Sequence, residues 1–209
     1  MKPLFIAFEG IDGSGKSSQV KLLAEKLSSD GHKVYTTFEP TDNPIGKMIR
    51  SVFSHKMVAD EKTIAGLFLA DRFEHLLNQT DGIIKKLAEG YTVITDRYYL
   101  SSYAYHGVHM PVEWVIEANR LCAELKRPDV NIFIDITPEI SMERIAQNRA
   151  NVELYETLEN QKKVYSKYKE AIELVKNQEI IKQFDGTKSI EDLASDIYQY
   201  VKQLNSISY

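Results

Sequence analysis

The stretch FEGIDGSGKSSQV, Phe8 to Val20, sets Gly10, Gly15, Lys16 and Ser17 at the spacing G-x-x-x-x-G-K-[ST]. Where that spacing joins a strand to a helix it forms a phosphate cradle, and here an apolar run precedes it and a helical pattern follows. Glycines let the chain curl until successive N–H groups point into one concavity, and the next helix adds the positive end of its dipole. The loop from Gly10 through Ile11, Asp12, Gly13, Ser14, Gly15, Lys16 and Ser17 to Ser18 therefore reads as the seat of a donor nucleotide. Lys16 would reach the outer phosphates, and the Ser17 hydroxyl would ligate Mg2+ bridging them. A glycine-rich turn with an incidental Lys-Ser pair is the alternative, and the agreement of spacing with context weighs against it.

Two more pairs have chemistry suited to an acceptor. In VITDRYYLSSYAYHG, Asp96 ends an apolar strand and Arg97 follows. Neighbours on a strand point to opposite sides, so Asp96 is expected to face the cation of the phosphate loop through water while Arg97 faces a second anion. A surface ion pair at a strand end is the competing reading. In GLFLADRFEHL, Phe68 and Arg72 lie four residues apart and share a helix face. One offers a flat apolar surface and the other a planar hydrogen-bond fork, which are the two things a nucleobase needs. By spacing alone, a core phenylalanine beside a salt-bridged arginine is the favoured reading.

The elements that must position these residues alternate. The runs from Leu4 to Glu9, Lys33 to Phe38, Tyr91 to Asp96, Val130 to Ile136 and Glu179 to Phe184 read as strands, each separated from the next by helical pattern. That alternation predicts an α/β fold, a five-stranded parallel sheet with helices on both faces. Thr137 before Pro138 and the SIED pattern at Ser189 mark helix starts. Gly31, Gly90 and Gly186 punctuate connections, Pro40 to Pro44 is turn-rich, and Asn148 to Val152 is a polar break between helices. With 209 residues, 43% hydrophobic and 27% charged, one domain spanning 1–209 is expected. The net charge of -4, from 26 basic and 30 acidic residues without a single-sign block, argues against a nucleic-acid footprint or a membrane-binding surface. One cysteine, Cys122, allows no internal disulfide and is expected to be buried in a helix, as Trp114 is expected in the core. His32, His55, His75 and His109 show no metal-ligand spacing. With no leader pattern and no long apolar stretch, a soluble, cytoplasmic protein is expected.

Taken in order, FEGIDGSGKS, LFLADRFEH, DRYYLSSYAYHG, RPDVNIFIDITPE and ELYE resemble the thymidylate kinase family from Phe5 to about Tyr200. The resemblance implies transfer of the γ-phosphoryl group of ATP to dTMP, giving dTDP and ADP, on a P-loop fold with a short mobile lid, here about 144–157, and commonly as a homodimer. It implies that Asp12 hydrogen-bonds the deoxyribose 3′-hydroxyl, as an acceptor-only carboxylate can. Phe68 would stack on thymine, Arg72 would bond its O4, and Arg97 would hold the acceptor phosphate. Ser101, Tyr105 and His106 would line the nucleoside pocket with Glu39, and Tyr105 would crowd the 2′ carbon and so favour deoxyribose. Asp96 would act near Mg2+.

Gly13 stands where some members of that family carry an arginine, so the lid is expected to deliver the guanidinium that phosphoryl transfer requires. Arg149 is the candidate, since Leu154 replaces an arginine of the family's E-R-Y-E element, which closes here on Glu156; Arg144 would lie beside the adenine. Phe38, Glu39, Pro40 and Thr41 stand where many relatives read R-E-P-G, so an arginine near the acceptor is missing; His106 replaces a common glutamine. Two other functions stay open on sequence grounds: a kinase for another deoxynucleoside monophosphate or nucleoside, and a non-catalytic ATP-binding regulatory module.

Overall fold

A computed structural model describes residues 2–148 and 157–206. In chain order the elements are β1 (Phe5–Glu9), α1 (Lys16–Ser29), β2 (Val34–Phe38), α2 (Pro44–Phe53), α3 (Glu61–Leu77), α4 (Ile83–Ala88), β3 (Thr92–Asp96), α5 (Tyr99–Gly107), α6 (Val112–Ala118), α7 (Arg120–Leu125), β4 (Val130–Asp135), α8 (Pro138–Asn148), α9 (Leu158–Val175), β5 (Ile181–Asp185) and α10 (Ile190–Ser206). Every strand falls within two residues of its expected bounds. The sheet is parallel throughout in the order β2-β3-β1-β4-β5.

Period-two alternation divides the core between the two faces of that sheet. On β1, Phe5 and Ala7 join Val93 and Phe133 under α3, α5, α7 and α9, while Ile6 and Phe8 join Ile94, Ile132 and Ile134 under α1 and α10. Each fully enclosed Phe or Ile there contributes roughly 1.5–3 kcal/mol, which is why the central strands are apolar on both sides. Both marked helix starts are capped as expected: Thr137 Oγ1 accepts from Ile140 N at 3.4 Å, and Ser189 Oγ from Asp192 N at 3.1 Å.

The chain leaves β1 to one side of the sheet and crosses to the other after β3, so a crevice opens at the carboxyl ends of these two neighbours. The glycine loop follows β1, and Asp96 and Arg97 end β3, so both chemistries meet there. Cys122 is buried on α7, as expected, with its thiol pushed up to about 11 by burial. Trp114 is a correction. It is 53% exposed, because Val112 and Val115 take the inward face of the seven-residue α6.

Candidate active site

The glycine loop needs its glycines for two separate reasons. A side chain at Gly10 would meet Ile134 O at 2.6 Å, and Gly13, at φ 70, would meet Ser141 O at 2.8 Å. The second contact seats α8 directly on the loop, and Ser141 Oγ donates to Asp12 O at 2.6 Å. Lys16 opens α1 with its ammonium turned back onto Gly10 O (3.0 Å) and Ile11 O (2.9 Å). Burial and the nearby Arg97 lower its pKa to about 8. Ser17 Oγ donates to Asp96 Oδ2 at 2.5 Å. These two hard oxygens fit Mg2+, which keeps waters and shares phosphate oxygens instead of taking an all-protein cage. The described residues hold no cluster of three or more His, Cys, Asp or Glu able to bind a metal.

Asp96 and Arg97 do diverge, but strand alternation is not the reason. Arg97 lies beyond β3 in the left-handed region, φ 71, and that turn aims its side chain across the crevice. Its Nη2 pairs with Asp12 Oδ1 and donates to Tyr105 OH at 3.1 Å, while Nη1 reaches Gly10 O at 3.2 Å and Ser101 Oγ at 3.0 Å. Asp12 Oδ2 accepts from Tyr105 OH (2.8 Å) and from Gln161 Nε2 (3.1 Å) on α9. Burial pushes the Asp12 carboxyl up, but Arg97 and Lys16 outweigh it and hold the group below the usual carboxylate range.

On α3, Arg72 is buried and its guanidinium is fixed on three sides. Nε and Nη2 donate to Glu39 Oε2 at 3.0 and 2.6 Å, Nη1 to Asn119 Oδ1 at 2.5 Å, and Nη2 also to Ser102 Oγ at 3.0 Å. Glu39 is held in turn by His75 Nδ1 at 3.1 Å, whose Nε2 meets Thr37 Oγ1 at 2.7 Å. Thus Glu39 orients Arg72 from behind. Phe68 stacks at a tilt against His106 (5.1 Å) and Phe53 (6.0 Å). Burial and the nearby Arg72 lower the His106 pKa to about 3, so the imidazole is neutral; its enclosed Nδ1 has no partner.

One cavity of about 1240 Å3 runs past all of these groups. Every expected site residue among those described borders it except Gly10 and Ile11: Ile11 is packed in the core, and Gly10 contributes its carbonyl from behind. Arg144 borders the far end beside Lys188, Ser189, Ile190 and Leu193, with Nη2 on Gly186 O at 2.8 Å. Arg149, Leu154 and Glu156 lie outside the described residues.

A sequence profile described as thymidylate kinase matches residues 8–197 of the chain. The chain belongs to the thymidylate kinase family. A protein of Pyrococcus horikoshii named "Probable thymidylate kinase" is 38% identical over 97% of each chain. The thymidylate kinases of Caldicellulosiruptor saccharolyticus and Leptospira borgpetersenii are 37% and 36% identical, covering 98% of each chain and 93% of this chain with 91% of that one. For a thymidylate kinase, the residues that sequence reasoning passed over are informative. Gln161 and Tyr168 lie outside any short motif and meet the site only through tertiary contacts, while Glu9 stands beside the glycine loop but is turned away from the cavity onto Ser101 and Tyr168. Arg50 borders the cavity from α2, with Nη1 donating to Pro40 O at 2.6 Å and Nη2 paired with Asp42 at 2.6 Å.

Proposed function

We propose that this thymidylate kinase transfers the γ-phosphoryl group of ATP directly to the phosphate of dTMP, with the two nucleotides meeting between Lys16 and Arg97. The observation that carries this reading is the single cavity in which a donor loop and an acceptor set face each other. At about 1240 Å3 it exceeds the roughly 300–1,000 Å3 of a one-ligand site. The acceptor phosphate is already a nucleophile, so no serine, cysteine or histidine needs activation, and catalysis is positioning plus charge neutralisation. Lys16 leaves its two carbonyls for the donor's outer phosphates, and Arg97 holds the acceptor phosphate with Arg50 near it. Bound at Ser17 and, through water, Asp96, Mg2+ would supply charge neutralisation on the donor phosphates. Phe68 packs on the base, Arg72 offers its remaining Nη1 hydrogen to O4, and neutral His106 lines the pocket beside them. Asp12 and Tyr105 enclose the deoxyribose. Arg144 belongs to the adenine end, and the lid of about 144–157 brings Arg149 to the transferring group.

The same reading extends to assembly and location. On the outer face of α3, Thr63, Gly66, Ala70 and Leu77 are exposed at intervals of three, four and seven residues, and Leu121 and Leu125 of the adjoining α7 are exposed too. That face supports a homodimer of one-domain chains. A lone buried cysteine fits the reducing cytoplasm, where we place the enzyme. No helix among the described residues is long and apolar enough to cross a membrane. The test is a panel of dTMP, dUMP, dCMP, dGMP, AMP and thymidine with ATP and Mg2+. Preferred turnover of dTMP is expected, and preference for any other acceptor overturns the assignment.

A further inference from the structure

Glu9, the last residue of β1, takes no part in the transfer described above, yet it is wholly enclosed at the centre of the site. Its Oε1 accepts from Tyr98 N at 2.9 Å, and its Oε2 accepts from Ser101 Oγ at 2.5 Å and from Tyr168 OH at 3.1 Å. All three donors flank Arg97. Tyr98 N belongs to the peptide that closes the left-handed turn at Arg97. Ser101 Oγ and Tyr168 OH are also the atoms that accept from Arg97 Nη1, at 3.0 and 3.5 Å. We propose that Glu9 is the positioning residue for Arg97, holding its turn through Tyr98 and its guanidinium through the Ser101 and Tyr168 hydroxyls. This rests on the reading of Arg97 as the acceptor-phosphate cation.

Hydroxyl chemistry explains how a carboxylate behind the arginine sets its aim. Each hydroxyl has one proton and two lone pairs, and ionised Glu9 is acceptor-only. Ser101 Oγ and Tyr168 OH are also 2.8 Å apart, so one hydroxyl proton goes to Glu9 and the other lies between them, and both oxygens keep a lone pair for Arg97. Protonated Glu9 instead donates to one of those oxygens and competes with Arg97 for it. The charges around Glu9 come from Lys16 on α1, Asp12 on the glycine loop and Arg97 after β3; α5 and α9 contribute the neutral hydroxyls of Ser101, Tyr105 and Tyr168. Burial pushes the Glu9 carboxyl up to about 7, against the pull of Ser101 and Arg97, so this change of polarity falls near neutral pH. Because Tyr168 lies on α9, which starts directly after the lid, the same carboxylate ties that helix to the acceptor site.

The experiment is initial-rate kinetics on Glu9→Gln, Tyr168→Phe and Arg97→Lys, varying dTMP and ATP separately from pH 6 to 8.5. Loss of a hydrogen-bonded charge predicts a KM for dTMP raised about tenfold in Glu9→Gln and several-fold in Tyr168→Phe. The KM for ATP is expected to stay within about twofold in both. The dTMP phosphate titrates in the same range, so the signature is the difference between profiles: a rise in kcat/KM for dTMP near pH 7 in the wild type that Glu9→Gln lacks. Unchanged dTMP KM and pH profile in Glu9→Gln, or equal losses for both substrates, overturns the proposal. If Glu9→Gln does not fold, Tyr168→Phe with a wild-type KM for dTMP overturns it. Arg97→Lys keeps the two readings apart, since an unchanged KM for dTMP there removes Arg97 from the acceptor phosphate whatever Glu9 does.

Discussion

Asp12 pairs with Arg97 across 85 residues, a contact that depends on the left-handed turn at Arg97, whereas the family resemblance implied only a sugar-binding carboxylate. No periodicity encodes such a turn in a non-glycine residue. On the proposed reading, Asp12→Ala removes a sugar contact and also frees the guanidinium assigned to the acceptor phosphate. The expected result is a KM for dTMP raised about tenfold or more, with ATP affinity by calorimetry changed less than about twofold; equal losses would remove Asp12 from the acceptor side. Glu9 yields a prediction on stability. Its folded-state pKa of about 7 lies above the ordinary 4.5, so the folded chain holds a proton that the unfolded chain releases. Wild-type stability therefore falls as pH climbs from 4.5 through 7, by at most about 3 kcal/mol. Glu9→Gln is relieved of that loss, so its melting temperature relative to wild type is expected to be higher at pH 8 than at pH 5. An identical difference at the two pH values would sink this account.

Strands and the glycine loop were the most legible elements, because a strand buried on both faces is a continuous apolar run and the loop's spacing is set by phosphate geometry. Short helices were not. In α6, seven residues span only two turns, too few for Val112, Trp114 and Val115 to reveal which side faces inward. The docking of α8 was also invisible, since it rests on the absence of a side chain at Gly13 and on Ser141 O opposite. Gly13→Ala is expected to cost about 1–2 kcal/mol for the left-handed backbone alone, and the collision with Ser141 O adds to it by pushing α8 off the loop. Thermal unfolding and the KM for ATP measure the two parts separately; a wild-type melting temperature would contradict the contact.

At the scale of the molecule, α3 works on two sides. Its inner face carries Arg72 and the cavity wall at Phe68, while its outer face carries exposed Gly66 and Ala70. A second copy packed on that outer face would brace the base-binding residues through one helix thickness. Ala70→Arg is expected to shift sedimentation to the monomer and to raise the KM for dTMP; a dimer that persists places the interface elsewhere. The family resemblance carried the expectation of a dimer, whereas the face proposed for it forms only where α3 and α7 come together. The carbonyl of Gly10 spans the molecule in another sense. It accepts from Lys16 Nζ and Arg97 Nη1, and Tyr168 OH lies 3.3 Å away, so the cations proposed for donor and acceptor and the helix α9 converge on one oxygen. A single atom thereby becomes a spectroscopic witness to both substrates. Glycine labelled with carbonyl carbon-13 and isoleucine labelled with nitrogen-15 mark only two peptides in this chain, Gly10–Ile11 and Gly82–Ile83. The second caps α4 and borders no part of the cavity, so it serves as the silent reference against which the first reports each nucleotide as it arrives.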